Sequence, residues 1–237
     1  MLPAAGRVVM VSGASGGIGN AIAQCLHNKG YSVSLGARNV DKIGPWIGEG
    51  DQDRLMSHVY EATDREGNQA WVDATVERFG RIDGLVNAAG MGGMANLEDE
   101  DEDVFDDLWQ VNTKGPMRMI RLTLPHLRAS GSGRIVLVSS LSGKRVTNDG
   151  TGYALSKFAL MAVNHAARRA GWEDGVRSTA VCPGWVNTAM AKNAVGIERE
   201  DMIQPDDLAE LVETAIALPN GAAVAELLVS CSLGDLF

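Results

Sequence analysis

The sequence predicts an α/β fold in which helices cover both faces of one parallel, doubly wound sheet. Apolar segments typical of strands alternate with amphipathic helical segments along the whole chain. Several strands are continuous apolar runs, such as Ile135-Val136-Leu137-Val138, which is typical of strands buried on both faces. Right-handed crossovers between such strands give a doubly wound sheet.

The predicted elements follow one another without an internal linker, a repeat or a low-complexity tract. The strands are predicted at residues 7–12, 31–37, 55–61, 82–87, 134–140, 176–182 and 226–231. The helices are predicted at residues 17–29, 66–79, 103–129, 152–170 and 205–218. The crossover 39–53 has only weak helical character, because Gly44-Pro45 interrupts it. A length of 237 residues fits one domain, 1–237.

Bulk composition excludes several classes of protein. Apolar residues make up 45% of the chain, and no uncharged apolar run is long enough to cross a membrane. A net charge of −9 argues against a nucleic-acid partner. The first residues lack the basic and apolar regions of a signal peptide, and three cysteines without a C-x-x-C pair suit a reduced compartment. We therefore expect a cytoplasmic protein.

A run of acidic residues, 98–103, stands out and continues with Asp106 and Asp107. We expect these acids at the N-terminus of a long helix, where they complement its dipole and face solvent; a metal or a basic partner is the alternative. The four histidines show no spacing of metal ligands, so no metal site is predicted.

A glycine loop joins the first strand to the first helix. Gly13, Gly17 and Gly19 stand where a tight strand-to-helix turn lets the backbone approach a pyrophosphate. The helix N-terminus then favours the anion. Glycine turns also serve packing, but a strand before and a helix after the loop indicate a dinucleotide site.

The end of the second strand distinguishes between two cofactors. An acidic residue there would bind the ribose 2′-hydroxyl of NAD(H), but this chain has Ala37 followed by Arg38. Arg38 can pair with a 2′-phosphate, so the sequence favours NADP(H) over NAD(H). The alternative is that Arg38 is an ordinary surface arginine.

A serine, a tyrosine and a lysine form the candidate catalytic group. Ser140 ends a buried strand, and Tyr153 opens the next helix with Lys157 on the same face, four residues later. A nearby ammonium lowers the pKa of a phenol, which would let Tyr153 exchange a proton with a carbonyl or an alcohol. Ser140 would stabilise charge on the same oxygen.

In this order the motifs resemble those of the short-chain dehydrogenase/reductase family, almost from end to end. The matching segments are SGASGGIG (12–19), NAAG (87–90), VNTKG (111–115), SS (139–140), YALSK (153–157) and PGWVNT (183–188). The resemblance implies a seven-stranded sheet of the Rossmann type and a homotetramer or homodimer. It also implies that Asn112 is a fourth catalytic residue, whose backbone holds a water linking Lys157 to a proton relay.

The resemblance further implies a set of cofactor contacts. These are Gly13, Ser15, Gly17, Ile18, Gly19, Arg38, Glu61, Asn87, Ala88, Gly90, Tyr153, Lys157, Pro183, Val186 and Thr188. The chain departs from the family pattern at Glu61, where aspartate usually meets the adenine, and at Ala88, which is usually asparagine. Gly16 stands where many NADP(H) enzymes have a basic residue, and the usual glycine-rich C-terminal ending is absent.

The segment 187–203 is the expected substrate lid, and Met91, Met94 and Trp185 are expected to border a partly apolar pocket. Core packing is the alternative for the methionines, and Cys182 is expected to be a buried packing residue.

The predicted function is NADP(H)-dependent oxidoreduction of a small carbonyl compound or secondary alcohol. The alternatives are a non-catalytic dinucleotide-binding regulatory protein and, on the same scaffold, epimerisation or dehydration.

Overall fold

A parallel seven-stranded sheet forms the centre of the computed structural model, which describes residues 1–146, 148–192 and 194–233. The strands are β1 (Val8–Ser12), β2 (Ser32–Ala37), β3 (Leu55–Val59), β4 (Gly84–Asn87), β5 (Arg134–Val138), β6 (Arg177–Pro183) and β7 (Glu226–Val229). Their order is β3-β2-β1-β4-β5-β6-β7. The strand order reverses between β1 and β4, which places a ligand crevice at their carboxyl ends. The predicted fold class is confirmed.

Helices cover both faces of this sheet. They are α1 (Gly17–Asn28), α2 (Trp46–Glu49), α3 (Arg65–Phe79), α4 (Asp103–Trp109), α5 (Gly115–Ala129), α6 (Thr151–Gly171) and α7 (Pro205–Ala217). One buried core packs α1 and α7 against the sheet, for example through Ile22 and Leu208. The second core packs α3, α5 and α6 against the opposite face, around Trp71 and Leu160. The crossover 39–53 contains only short helical turns, as expected.

The predicted helix 103–129 is not one regular α-helix. A π-helical segment, Gln110–Lys114, separates α4 from α5. Pro116 explains an interruption here, because it has no N–H to donate to the carbonyl of Asn112, four residues earlier. π-helical turns inside α-helices occur frequently at functional sites, and this one contains Asn112.

Three predicted features differ or fall partly outside the described chain. β3 ends at Val59, so Glu61 lies in the turn after the strand. Asn193 of the predicted lid and residues 234–237 of the tail lie outside the described residues. Among the described residues, no helix is long and apolar enough to cross a membrane.

Candidate active site

The glycine loop between β1 and α1 has the close contacts that its sequence predicts. Gly13 has φ +72, and a Cβ there would lie 2.7 Å from backbone atoms of Ala89. A Cβ on Gly17 would lie 2.7 Å from Cγ2 of Thr188, and one on Gly19 would collide with the Gly13 carbonyl oxygen. These positions therefore admit only glycine without movement of the backbone or of Thr188. Ser15 is exposed at the tip of the loop, and Ile18 is half-buried behind it.

Asn87 lies beside this loop, at the carboxyl end of β4, where it pairs in register with Ser12 of β1. Its side chain is 2% exposed, yet neither Oδ1 nor Nδ2 has a hydrogen-bond partner among the described residues. Buried amides are normally satisfied, so an unpartnered one at the crevice indicates a position where a ligand binds. Ala88 and Gly90 follow it along the same edge, and a Cβ on Gly90 would lie 3.7 Å from Nζ of Lys157.

Tyr153 and Lys157 face each other on α6 as their spacing predicts. The Lys157 Nζ lies 5.6 Å from the centroid of the Tyr153 ring and donates a 3.0 Å hydrogen bond to the Val138 carbonyl oxygen at the end of β5. Burial lowers the pKa of Lys157 to about 8. Burial also raises the pKa of Tyr153, and a hydrogen bond with Ser140 opposes that rise. The expected lowering of the Tyr153 pKa is therefore not produced by the protein's own residues.

Ser140 follows β5 in extended conformation and begins a 3₁₀ turn at Leu141–Gly143. Its hydroxyl accepts the Ser142 N–H at 3.1 Å, which fixes its direction while leaving its own proton free to donate. The strand end and the turn thus bring Ser140 to the Tyr153 hydroxyl.

Asn112 is held in the π-helical segment with its side chain fully engaged. Its Oδ1 accepts the Met91 N–H, and its Nδ2 donates to the Met91 carbonyl, both at 2.9 Å. The second Nδ2 proton goes to Ser156 Oγ at 3.0 Å, and that hydroxyl donates to the Tyr153 carbonyl oxygen at 2.7 Å. The Asn112 side chain therefore has no donor left for a ligand.

Ser156 is a site residue that the sequence motifs do not single out. It is 2% exposed and joins the turn of α6 that carries Tyr153 to the π-helical segment. The motif YALSK (153–157) contains it, but nothing in the sequence indicates its role beyond the i, i+3 spacing from Tyr153, which many helical serines share.

Arg38 and Glu61, which are expected to contact the adenosine half of the cofactor, lie at the same edge of the sheet. Neither side chain makes a polar contact with another described residue. Arg38, directly after β2, is exposed and has no hydrogen bond or ion pair within the described chain. Glu61 is half-buried, and its carboxylate has no hydrogen bond or ion pair with any described residue. Both side chains are thus available to a ligand.

The two ends of the predicted lid, 187–203, are joined to each other at its base. The Asn187 N–H donates to the Ile203 carbonyl at 2.9 Å, and Arg199 donates to Asn187 Oδ1 at 2.8 Å. Pro183 ends β6, and Val186 is buried and bridges to Ile203 in parallel register. Thr188 contacts the glycine loop at Gly17, so the base of the lid borders the crevice.

Three large apolar side chains in the loops that follow β4 and β6 are not packed in the core. Met94 is 73% exposed, Met190 59% and Trp185 43%. Core packing is therefore wrong for Met94 and for Met190 of the segment 187–203, whereas Met202 of the same segment is buried. Cys182 is buried against Met161, with 3.6 Å between the sulfurs, and burial raises its pKa to about 11, which confirms a packing role.

The acidic run lies where α4 begins. Among the described residues, no group of three or more His, Cys, Asp or Glu side chains is arranged to hold a metal ion. Residues 98–103 are exposed and lie in the loop before α4 and at its first residue.

The profile of short chain dehydrogenases matches residues 7–198. The chain belongs to the short-chain dehydrogenase/reductase family. A solved member, the alcohol dehydrogenase from the archaeon Thermococcus sibiricus complexed with 5-hydroxy-NADP, is 32% identical with a TM-score of 0.85, covering 94% of this chain and 95% of that one. A metagenomic short-chain oxidoreductase in complex with NADP is 31% identical with a TM-score of 0.82, covering 98% and 99%.

A curated relative in this family is the agropine synthesis reductase of Rhizobium rhizogenes. It is 44% identical over 225 residues, which are 94% of this chain and 52% of the relative. The chain thus spans about half the length of this relative.

Proposed function

We propose that this chain is an NADP(H)-dependent oxidoreductase that interconverts a carbonyl compound and a secondary alcohol. The observation that carries the proposal is the grouping of Ser140, Tyr153 and Lys157 at the carboxyl edge of the sheet. These residues face the crevice that the glycine loop borders. A non-catalytic dinucleotide sensor would have no use for this arrangement of proton donors.

The residues of the crevice fit a nicotinamide dinucleotide. Gly13, Gly17 and Gly19 leave room for a pyrophosphate at the N-terminus of α1, and the buried unpartnered amide of Asn87 would meet the adenosine side. The cofactor supplies hydride transfer when bound. Ser15, Ile18, Ala88, Gly90, Pro183, Val186 and Thr188 would complete the walls of the site.

Tyr153 would act as the general acid and base of the reaction. In reduction its phenol donates a proton to the substrate oxygen, and in oxidation its phenolate accepts one. Ser140 donates a hydrogen bond to the same oxygen and stabilises the charge that develops there. Lys157 would hold a positive charge beside the ring and bind the ribose hydroxyls, while the Asn112 backbone would hold the relay water.

Arg38 supports a preference for NADP(H) over NAD(H). It is exposed directly after β2, and no described carboxylate competes for its guanidinium. The two solved relatives carry NADP or 5-hydroxy-NADP, which supports the same preference. Glu61 would accept a hydrogen bond from the adenine amine.

The surroundings of Tyr153 support a partly apolar substrate. Met94, Met190 and Trp185 present exposed apolar surface on the loops that follow β4 and β6, and the segment 187–203 would close over the substrate. Since the curated relative from Rhizobium rhizogenes is a reductase, we propose that reduction is the working direction.

Self-association and a cytoplasmic location complete the proposal. A groove between α4 and α6, lined by Phe105, Trp109 and Leu155, presents aromatic and aliphatic surface for a homodimer or homotetramer. Light scattering tests the assembly. All three cysteines are free, which supports a reduced compartment.

The decisive experiment compares Tyr153→Phe with Tyr31→Phe in a carbonyl-reduction assay with NADPH. Removing the Tyr153 hydroxyl should reduce kcat by about 100-fold or more, because the proton donor is lost. Binding of NADPH, measured by fluorescence, should stay unchanged. Tyr31 directly precedes β2, at the opposite edge of the sheet from the crevice, and its variant should keep wild-type activity. Full activity of Tyr153→Phe would contradict the mechanism.

A further inference from the structure

The carbonyl oxygen of Ala62, the residue after Glu61, is held by buried side chains from two helices. Arg118 of α5 donates to it through Nη1 at 2.5 Å, and Asn68 of α3 donates through Nδ2 at 3.3 Å. Arg118 is 6% exposed and Asn68 is fully buried. Arg118, in the first turn of α5, thus contacts the turn that contains Glu61, the residue expected to bind the adenine.

The turn 61–64 is also fixed at its two ends. The Asp64 N–H donates to the Glu61 carbonyl at 3.1 Å, and the Asp64 carboxylate caps α3 by accepting the N–H groups of Glu66 and Gly67. Ala62 lies at the centre of this turn. Because Ala62 is bonded directly to Glu61, holding its carbonyl restricts the backbone from which the Glu61 side chain projects.

The first turn of α5 packs directly on the same residue. A Cβ on Gly115 would lie 2.9 Å from the Cβ of Ala62, so only glycine permits this approach. Gly115 follows the π-helical segment that contains Asn112. The turn 61–64 and the segment 110–114 are thus joined through Gly115 and Arg118.

Burying the charged Arg118 side chain costs more free energy than burying an apolar side chain at the same position would. Within the described chain it forms no ion pair with a carboxylate. Burial and the positive charges of Arg65 and Arg121 lower its pKa, and Tyr60 and the Asp64 carboxylate oppose that shift. Burying a charge without a paired opposite charge is costly, and an apolar side chain would avoid that cost. What the guanidinium provides that an apolar side chain lacks is the strong hydrogen bond to Ala62.

We propose that Arg118 is a positioning residue that sets the turn 61–64, and with it Glu61, for binding the adenosine half of the cofactor. This inference rests on the proposed function, because it assumes a dinucleotide in the crevice. Arg118 acts through Ala62 and does not itself touch the ligand.

The test measures binding of two half-cofactors and of the whole by titration. Adenosine 2′,5′-bisphosphate reports on the adenosine half, reduced nicotinamide mononucleotide on the other half, and NADPH on both. The variants are Arg118→Met, which removes the donor, Arg118→Lys, which restores a charged donor, and Arg121→Met. Arg121 is exposed on the same helix, so its variant controls for the loss of a positive charge.

Arg118→Met should bind the bisphosphate and NADPH about tenfold more weakly, because Glu61 would no longer be held in place to bind the adenine. Binding of the mononucleotide should not change. Arg118→Lys should recover part of the loss, and Arg121→Met should match the wild type. If Arg118→Met does not fold, Arg118→Gln, whose side chain is too short to reach Ala62, replaces it under the same criteria.

Wild-type bisphosphate binding in the Arg118 variant, or an equal loss for both half-cofactors, overturns the inference. If the wild type binds NADPH and the bisphosphate, and Arg118→Met binds both as tightly as the wild type does, only the role proposed for Arg118 is contradicted. If the wild type binds neither, the proposed function fails and this inference fails with it.

Discussion

The ammonium of Lys157 lies 5.6 Å from the centroid of the Tyr153 ring and is held there by the Val138 carbonyl. The two side chains are on one face of α6, and the end of β5 supplies the anchor. Burial acts on both groups in the direction of their neutral forms: it lowers the pKa of Lys157 and raises that of Tyr153. The protein's own residues therefore keep the phenol of Tyr153 protonated.

This relationship predicts how the reduction rate depends on pH. Tyr153 stays protonated across the neutral range, because its pKa is raised, whereas Lys157 loses its charge through about pH 8. The value of kcat/KM for carbonyl reduction should therefore be highest below about pH 8, where Lys157 is charged, and fall above it as that charge is lost. This parameter reports the pKa values of the free enzyme. Lys157→Arg, whose guanidinium keeps its proton, should move the fall to higher pH. A level profile up to about pH 10 would contradict the assignment.

Arg38 should decide between the two cofactors. Arg38→Ala should weaken NADPH binding by about 10- to 100-fold, because a charge-assisted hydrogen bond to the 2′-phosphate is lost. Binding of NADH should not change. Arg169→Ala removes a charge that is exposed near the end of α6, and it should leave both affinities as in the wild type. Fluorescence titration measures the affinity of each variant for NADPH and NADH. An equal loss of affinity for both cofactors would show that Arg38 does not recognise the 2′-phosphate.

Two glycine-to-alanine substitutions, one in the glycine loop and one outside it, should change the free energy of unfolding in opposite directions. Gly13→Ala should destabilise the fold by about 1–3 kcal/mol or more, since it strains a positive φ and places a methyl group against Ala89. Gly48→Ala, in the short helix α2, meets nothing within 4 Å and should stabilise by about 0.5–1 kcal/mol. Urea denaturation gives both free energies of unfolding. Equal stabilities of the two variants would contradict the close approach of Gly13 to Ala89.

His27 should make the stability depend on pH. Its Nε2 accepts the Asp51 N–H at 3.2 Å, its Nδ1 is buried without a partner among the described residues, and burial lowers its pKa from 6.5. Below that value the unfolded chain binds the proton more readily than the folded chain, so the free energy of unfolding should fall as the pH falls below about 6.5.

Replacing the imidazole should reduce this dependence. Compared with the wild type, His27→Gln should show a smaller loss of unfolding free energy between about pH 7.5 and about pH 5. Urea titrations at several pH values measure both. A wild-type slope in His27→Gln would assign the pH dependence to other groups.

Local patterns were sufficient to predict most elements of the fold and the common face of Tyr153 and Lys157. The continuous apolar runs predicted the buried strands, because a strand covered on both faces has no polar positions. The spacing of Tyr153 and Lys157 predicted their common face, because four residues are about one helical turn. The glycine loop was recognisable because its conformation excludes side chains that carry a Cβ.

Contacts between distant segments were decided only by the tertiary structure. Pro116 is a local signal for the interruption of the helix, but the hydrogen bonds that hold Asn112 there, to Met91 and Ser156, join segments that are distant in the sequence. Whether Met94 and Met190 are buried depends on which segments pack over them, and an apolar side chain alone cannot show this. The link from Arg118 to Ala62 joins residues 56 positions apart. Sequence determines the propensity of each segment, whereas the partners of its polar groups are set when the sheet brings the segments together.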